Sequence, residues 1–176
     1  MSAADTAPSL PPLQGRVAWV FDDDFDIDQI IGVANLKVHD VEALAALAMN
    51  RFDPDFRQTV RVGDVLVGGR NFGYGHPHAG AMRAMRHLGI RAVIAESFFS
   101  SYWIGEIGYG FIQVVCPGIH AVARRGENIA IDFEDGVLTV GGTRQQLAIA
   151  PHSPREIAIL RAGGLRNLLR NDNQNS

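Results

Sequence analysis

The chain has 176 residues, a formal net charge of −3 and one cysteine. This length suits one domain with a sizeable core, and the slightly negative charge gives no broad electrostatic case for nucleic-acid binding. No apolar run is long enough to span a bilayer, so we expect a protein that does not contact the membrane. One cysteine excludes an internal disulfide, which predicts a cytoplasmic protein.

We expect one domain between two loose ends. Residues 1–14 are rich in Ala, Ser and Pro but lack the basic start and long apolar core of a secretory signal, which predicts a loose leader. Residues 15–170 show no linker or repeat and predict a single domain. Residues 171–176 are polar and Asn-rich, and they predict a frayed tail.

The first half of the domain alternates between strands and helices. Residues 17–21 predict a first strand, which three aspartates follow. Asp40 is the expected N-cap of a helix over residues 41–49, and residues 51–60 predict a short helical or turn segment. Val65–Gly68 predicts a second strand that is buried.

The middle of the chain continues this alternation. Residues 81–88 predict a helix that Gly89 ends. Residues 91–96 predict a strand whose centre, 92–95, is continuously apolar, which is typical of a central parallel strand. Ser100–Gly108 predicts a further helix, and residues 111–115 predict another strand.

The C-terminal part has a different pattern. Residues 129–133 and Val137–Val140 flank an Asp-Gly turn, which predicts a hairpin. Residues 146–150 predict a further strand. Ser153 is the expected cap of a last helix, with Pro154 in its first turn. The order of elements predicts a mixed α/β domain around one core.

The loop after the second strand carries the candidate site. Residues 69–78 are rich in glycine and contain His76 and His78. Glycines let backbone amides approach a ligand closely, and a helix N-terminus attracts anions. The pattern therefore predicts a site for a small anionic ligand.

Six segments support a specific resemblance because they occur in a fixed order. They are DIDQII at 26–31, DPDF at 53–56, GDVLV at 63–67, GRNFG at 69–73, GIRAVIAESF at 89–98 and ILRAGGL at 159–165. Together they resemble the small subunit of isopropylmalate dehydratase, which is also the swivel domain of the aconitase superfamily. The resemblance covers nearly the whole chain beyond Gln14.

The resemblance implies an α/β swivelling β/β/α domain, with a mixed sheet, flanking helices and a C-terminal hairpin. It implies the small subunit of a hydro-lyase that acts on a small hydroxy di- or tricarboxylic acid, as in leucine biosynthesis. It also implies a heterodimer with a large dehydratase subunit. That partner would carry a [4Fe–4S] cluster that acts as a Lewis acid. This chain would bind no cluster, because one cysteine cannot supply the three or four thiolates that a cluster needs.

The loop departs from the family pattern where the chemistry is expected. In the family a serine acts as base and an arginine clamps a substrate carboxylate; here His76 stands at the position of the serine and His78 at that of the arginine. The resemblance thus implies His76 as the catalytic residue. The residues that it implies for substrate binding are Asn71, Gly73, Tyr74, Gly75, His78, Asp26 and Asp28.

Three interpretations remain open from the residues. In the first, the chain is a hydro-lyase subunit with altered substrate choice and a histidine as general base. In the second, the site is inactive and the chain is a non-catalytic ligand-binding or assembly module. In the third, His76 and His78 bind a divalent metal with Asp26 or Asp28, although two imidazoles alone do not make a metal site. Both aspartates are equally typical of a strand-end turn.

Overall fold

The computed structural model describes residues 9–141 and 144–174. The strands are β1 (Leu13–Val20), β2 (Val65–Gly68), β3 (Ala92–Ala95), β4 (Ile112–Val115), β5 (Asn128–Asp132), β6 (Val137–Val140) and β7 (Gln145–Ala148). The helices are α1 (Val41–Leu47), α2 (Phe56–Thr59), α3 (Ala79–His87), α4 (Ser100–Gly108), α5 (Ile119–Val122), α6 (Pro154–Arg161) and α7 (Leu165–Gln174). The strands form one mixed sheet in the order β4-β3-β2-β1-β5-β6-β7.

One half of the sheet is parallel. β1, β2, β3 and β4 pair side by side in the same direction, with Gly68 opposite Ala95 and Ala95 opposite Val115. Every residue of β2 and β3 is buried, as expected for apolar strands that are covered on both faces. The carboxyl ends of all four strands therefore meet at one edge of the sheet.

The other half of the sheet is antiparallel and includes the expected hairpin. β5 pairs with β1 through Leu13 and Ile131, and β6 and β7 follow by antiparallel pairing. Burial alternates along β5 and β6, which is typical of strands with one face on a core. The amide of Ala150 donates to the carbonyl of Val115 at 2.9 Å, so the end of the antiparallel half returns to β4 and the sheet curls.

Two large apolar clusters fill the two faces of the sheet. One combines residues of α1 and α3 with the rings of Phe21, Phe25 and Phe72, whose centroids lie 4.2 to 5.8 Å apart. The other takes side chains from both halves of the curled sheet. Full burial of such side chains stabilises by about 1.5–3 kcal/mol each. The three phenylalanines lie at the ends of β1 and β2, so they hold the base of the loop that carries the predicted site.

Several local predictions are confirmed. α4 has the predicted bounds, and Asp40 caps α1 by accepting the amide of Ala43 at 2.8 Å. Ser153 and Glu156 cap α6 reciprocally, with a proline in the first turn. Among the described residues, no helix has the length and apolar character needed to cross a membrane.

Regular structure extends across both expected domain boundaries. β1 begins at Leu13, inside the expected leader 1–14, because Leu13 is buried and pairs with Ile131; residues 1–8 lie outside the described residues. α6 is not the last helix, since α7 follows it and takes in residues 171–174 of the expected tail. Leu165 and Leu168 of α7 pack against a third apolar cluster built on α4 and α6. Residues 175 and 176 lie outside the described range.

Candidate functional site

Four loops meet at the carboxyl edge of the parallel strands. They are the acidic segment 22–28 after β1, the glycine-rich loop 69–78 after β2, residues 96–99 after β3 and residues 116–118 after β4. Ligands of open α/β sheets bind at this kind of edge. The predicted site residues all lie in the first two of these loops.

The base of the glycine-rich loop is tied to its neighbours by Asn71 and Gly73. The amide of Asn71 donates to Ser97 Oγ at 2.8 Å, and its side chain donates to Asp24 Oδ1 at 2.8 Å. The amide of Gly73 donates to the carbonyl of Phe25 at 3.0 Å. Because these groups are already engaged, Asn71 and Gly73 shape the loop.

Arg70 makes an ion pair that the sequence did not reveal. Its backbone amide donates to Asp23 Oδ1 at 2.7 Å, and its Nε and Nη2 donate to Asp23 Oδ2 at 2.9 and 2.7 Å. The backbone and side-chain hydrogen bonds from Arg70 lower the pKa of Asp23. Two nitrogens of the guanidinium thus donate charge-assisted hydrogen bonds to one carboxylate. Arg70 therefore holds the loop against the end of β1.

The tip of the loop is exposed. Tyr74, Gly75 and His76 all lie at the surface. The ring of Tyr74 contacts that of Phe99, with centroids 6.0 Å apart. The imidazole of His76 lies edge-on to that of His78, with centroids 5.5 Å apart. These are the predicted residues that a ligand can reach.

Asp26 and Asp28 lie beneath this tip and have different tasks. Residues 27–30 form a short 3-10 helix, and Asp26 caps it by accepting the amide of Asp28 at 2.9 Å. Asp28 is 5% exposed and accepts the amide of His78 at 3.0 Å, while its Oδ2 lies 2.6 Å from His78 Nδ1. Asp26 is thus a turn-forming residue, and Asp28 binds the loop.

His78 also occupies a particular place in the backbone. It is the N-cap residue of α3, which begins at Ala79 and not at the predicted residue 81, and its side chain makes no capping bond. The imidazole is turned instead to Asp28 and is 45% exposed. His78 therefore gives the first amides of α3 no side-chain acceptor next to the loop tip, where the helix dipole favours an anion.

Glu96 ties the fourth loop into the same edge. Its two carboxylate oxygens accept the amides of Gly118 and His120 at 2.8 and 2.9 Å. The sequence placed Glu96 at the end of the predicted strand 91–96, whereas the structure ends β3 at Ala95, and no local signal indicated the partners of Glu96. The carboxylate fixes the chain after β4 relative to the end of β3.

A cavity of about 170 Å³ lies beside His78, between the start of α3 and helix α4. Burial raises the pKa of Glu106 in its wall, and the guanidinium of Arg86, which pairs with Glu106, opposes that shift. Burial likewise raises the pKa of Tyr102 well above its ordinary value. The residues that line the cavity are Ile27, Pro77, His78, Ala79, Ser101, Tyr102, Gly105, Glu106 and Tyr109.

The side chains of the described residues do not fit a metal centre or an iron–sulfur cluster. Within the described ranges, no three His, Cys, Asp or Glu residues come together as a metal-binding group. The one cysteine, Cys116, is buried, and burial raises the pKa of its thiol to about 12. A cluster needs several thiolates. The metal-binding interpretation of His76 and His78 therefore has no third ligand among these residues.

Comparison with known proteins gives consistent matches over most of the chain. The family of the aconitase C-terminal domain matches residues 34–114. The 3-isopropylmalate dehydratase small subunit 1 of Methanopyrus kandleri is 38% identical over 160 residues, which cover 91% of this chain and 94% of that protein. The methanogen homoaconitase small subunit of Methanothermobacter thermautotrophicus is 34% identical over 155 residues, which cover 88% of this chain and 89% of that protein.

A solved structure shows the same architecture. The crystal structure of 3-isopropylmalate dehydratase from Methanocaldococcus jannaschii superposes with a TM-score of 0.83 at 30% identity. The match covers 93% of this chain and 96% of that one. The expected swivel-type fold is therefore confirmed, including its mixed sheet and C-terminal hairpin.

Proposed function

Since the chain belongs to the family of 3-isopropylmalate dehydratase small subunits, we propose that it completes the active site of a two-subunit hydro-lyase. The substrate is a small hydroxy di- or tricarboxylic acid, from which the enzyme reversibly removes or moves a hydroxyl. The relatives match along nearly their whole length and are dehydratase subunits, so the non-catalytic module is not favoured.

One observation of the geometry carries this proposal. The exposed loop tip brings two imidazoles together with the start of α3, which the side chain of its N-cap residue does not cap, at the carboxyl edge of the parallel strands. An imidazole accepts a proton readily near neutral pH, and backbone amides at a helix start stabilise an anion. A hydro-lyase of carboxylic acids needs both functions.

The residues divide into two groups in this proposal. Tyr74, Gly75, His76 and His78 contact the substrate, because they form the accessible tip. The residues that hold the loop in place are Asn71, Gly73, Asp26 and Asp28, whose polar groups bond to the protein.

The substrate carboxylates meet fewer arginines here than the family pattern provides. His78 stands where the family has an arginine, and Arg70 is engaged with Asp23. Arginine is the usual bidentate clamp for a carboxylate. Amides of the loop tip and residues of the partner therefore supply the remaining contacts, and the substrate choice differs from that of a subunit with the full arginine set.

The large subunit is the partner in this proposal, and it carries the [4Fe–4S] cluster. The cluster supplies Lewis-acid activation of the substrate hydroxyl. This chain contributes binding, orientation and proton transfer. A single buried cysteine also suits a reducing compartment, so we place the complex in the cytoplasm.

Co-expression with the large subunit from the same organism tests the proposal. The two chains should elute together on size-exclusion chromatography, and the anaerobic complex should turn over at least one acid from a panel with 3-isopropylmalate, homoaconitate and other hydroxy di- and tricarboxylic acids. After iron and sulfide reconstitution the complex should show cluster absorption, and the isolated chain should stay colourless. A loaded complex without turnover of any acid, or separate elution of a folded and loaded partner, would favour the assembly module.

A further inference from the structure

We propose that His78, and not His76, transfers the proton in this subunit, with Asp28 as its positioning residue. This inference rests on the proposed function and deepens it. It departs from the assignment that the resemblance implies, which puts His76 at the position of the family's base.

Asp28 holds His78 at two points. One carboxylate oxygen accepts the backbone amide of His78 at 3.0 Å, and the other lies 2.6 Å from Nδ1 of the ring. The two bonds fix both the backbone and the ring orientation of one residue. Asp28 is itself held, because its amide donates to Asp26 at 2.9 Å and its side chain is buried.

The same contact determines the tautomer of the His78 ring. A carboxylate accepts hydrogen bonds and has no proton to donate, so the contact assigns the ring proton to Nδ1. The neutral imidazole of His78 then keeps a free lone pair on Nε2. A base whose second nitrogen is oriented by a carboxylate is the arrangement used in catalytic triads. The imidazole is 45% exposed, so a ligand can reach it.

His76 differs from His78 in how its ring is held. Within the described part of the chain, His76 has a ring contact with His78 but no hydrogen bond that orients its imidazole. Proton transfer requires a base held in a defined geometry, and free rotation of an exposed ring costs rate. His76 is placed instead to contact a substrate carboxylate from the loop tip.

The chemical step balances without another reactant. In the dehydration direction Nε2 of His78 takes the proton from the carbon next to a substrate carboxylate. The electron pair of that C–H bond forms the new double bond, and the hydroxyl leaves the neighbouring carbon with its own bonding pair. The proton on His78 and the released hydroxide together account for the water that is lost. The carboxylate of Asp28 stabilises the imidazolium in between.

Kinetics of the assembled complex test the assignment. Asp28→Asn should lower kcat by about 10²–10⁴-fold with little change in KM, because the NH2 group of asparagine would donate to Nδ1 and so favour the tautomer that carries its proton on Nε2. His78→Ala should lower kcat at least as much. His76→Ala should mainly raise KM, and the control Asp135→Asn, at the exposed hairpin turn, should match the wild type. The proposal would be overturned if Asp28→Asn kept the wild-type kcat or changed only KM. It would also be overturned if only His76→Ala lowered kcat.

A readout independent of turnover separates this inference from the proposed function. Long-range nitrogen–proton NMR spectra of the full chain with ¹⁵N-labelled histidine should show His78 protonated at Nδ1 when neutral. Asp28→Asn should reverse the tautomer, and circular dichroism should confirm that the variant folds. If the complex turned over no acid but the tautomer were as expected, the function would fail and the positioning by Asp28 would stand. Protonation of Nε2 in the neutral wild-type ring would overturn the positioning role directly.

Discussion

Gly73→Ala is the substitution for which the structure gives the sharpest expectation of stability. Gly73 has φ +84°, in the left-handed region that favours glycine. A Cβ at this position would lie 2.5 Å from Cβ and 2.7 Å from Cδ2 of Tyr102. Tyr102 is fully buried and packs against Phe72 and Phe98, so its ring has little room to move away.

The expected loss has two parts that can be separated. The left-handed backbone costs an alanine about 1–2 kcal/mol, and forcing atoms into a packed core costs about 1–3 kcal/mol. Together they predict that Gly73→Ala lowers the free energy of unfolding by about 2–5 kcal/mol. Gly126 is the matched control, because it has φ +90° and an added Cβ there would meet nothing within 4 Å beyond its chain neighbours. Gly126→Ala should therefore lose only the backbone part, about 1–2 kcal/mol.

Urea denaturation of the wild type, Gly73→Ala and Gly126→Ala, monitored by circular dichroism, measures this difference in the free energy of unfolding. A lower urea midpoint, with an unchanged slope of the free energy of unfolding against urea concentration, would identify a true loss of stability. Equal losses in Gly73→Ala and Gly126→Ala would refute the argument from the clash with Tyr102. No loss in Gly73→Ala would refute both parts and would mean that the loop base adapts freely.

Three further predictions concern groups outside the proton-transfer pair. Arg70 lowers the pKa of Asp23 in the folded chain. The stability that this carboxylate contributes is therefore present above its unfolded pKa and is lost as pH falls through the lowered folded pKa. The free energies of unfolding of wild type and Asp23→Asn should converge in acid, which urea titrations at several pH values would measure. Burial raises the pKa of Cys116 to about 12, so Ellman's reagent at pH 8 should react far more slowly with the native chain than with the unfolded one, and equal rates would contradict this burial. Ser153→Ala should cost about 1 kcal/mol in the free energy of unfolding, because it removes the cap that accepts the amide of Glu156, and an unchanged urea midpoint would show that the cap is dispensable.

Local rules were sufficient for much of the fold. The bounds of α4, the cap of α1 and the hairpin of β5 and β6 depend on residues that are close in sequence. Propensity, capping and turn chemistry act over a few residues, which is why a sequence states them directly. Helix α7 was not predicted, because its polar, Asn-rich sequence gains its order from packing Leu165 and Leu168 on α4 and α6.

The site divides in the same way. The sequence by itself determined that a glycine-rich loop with two histidines follows a buried strand, and the order of its motifs indicated the family. Only the tertiary structure decided which groups are partners: Asp28 with His78, 50 residues apart, and Asp23 with Arg70, 47 residues apart. These pairs exist because parallel strands bring distant chain segments to one edge of the sheet. Side-chain partners there depend on how the chain returns in space, which no local pattern encodes.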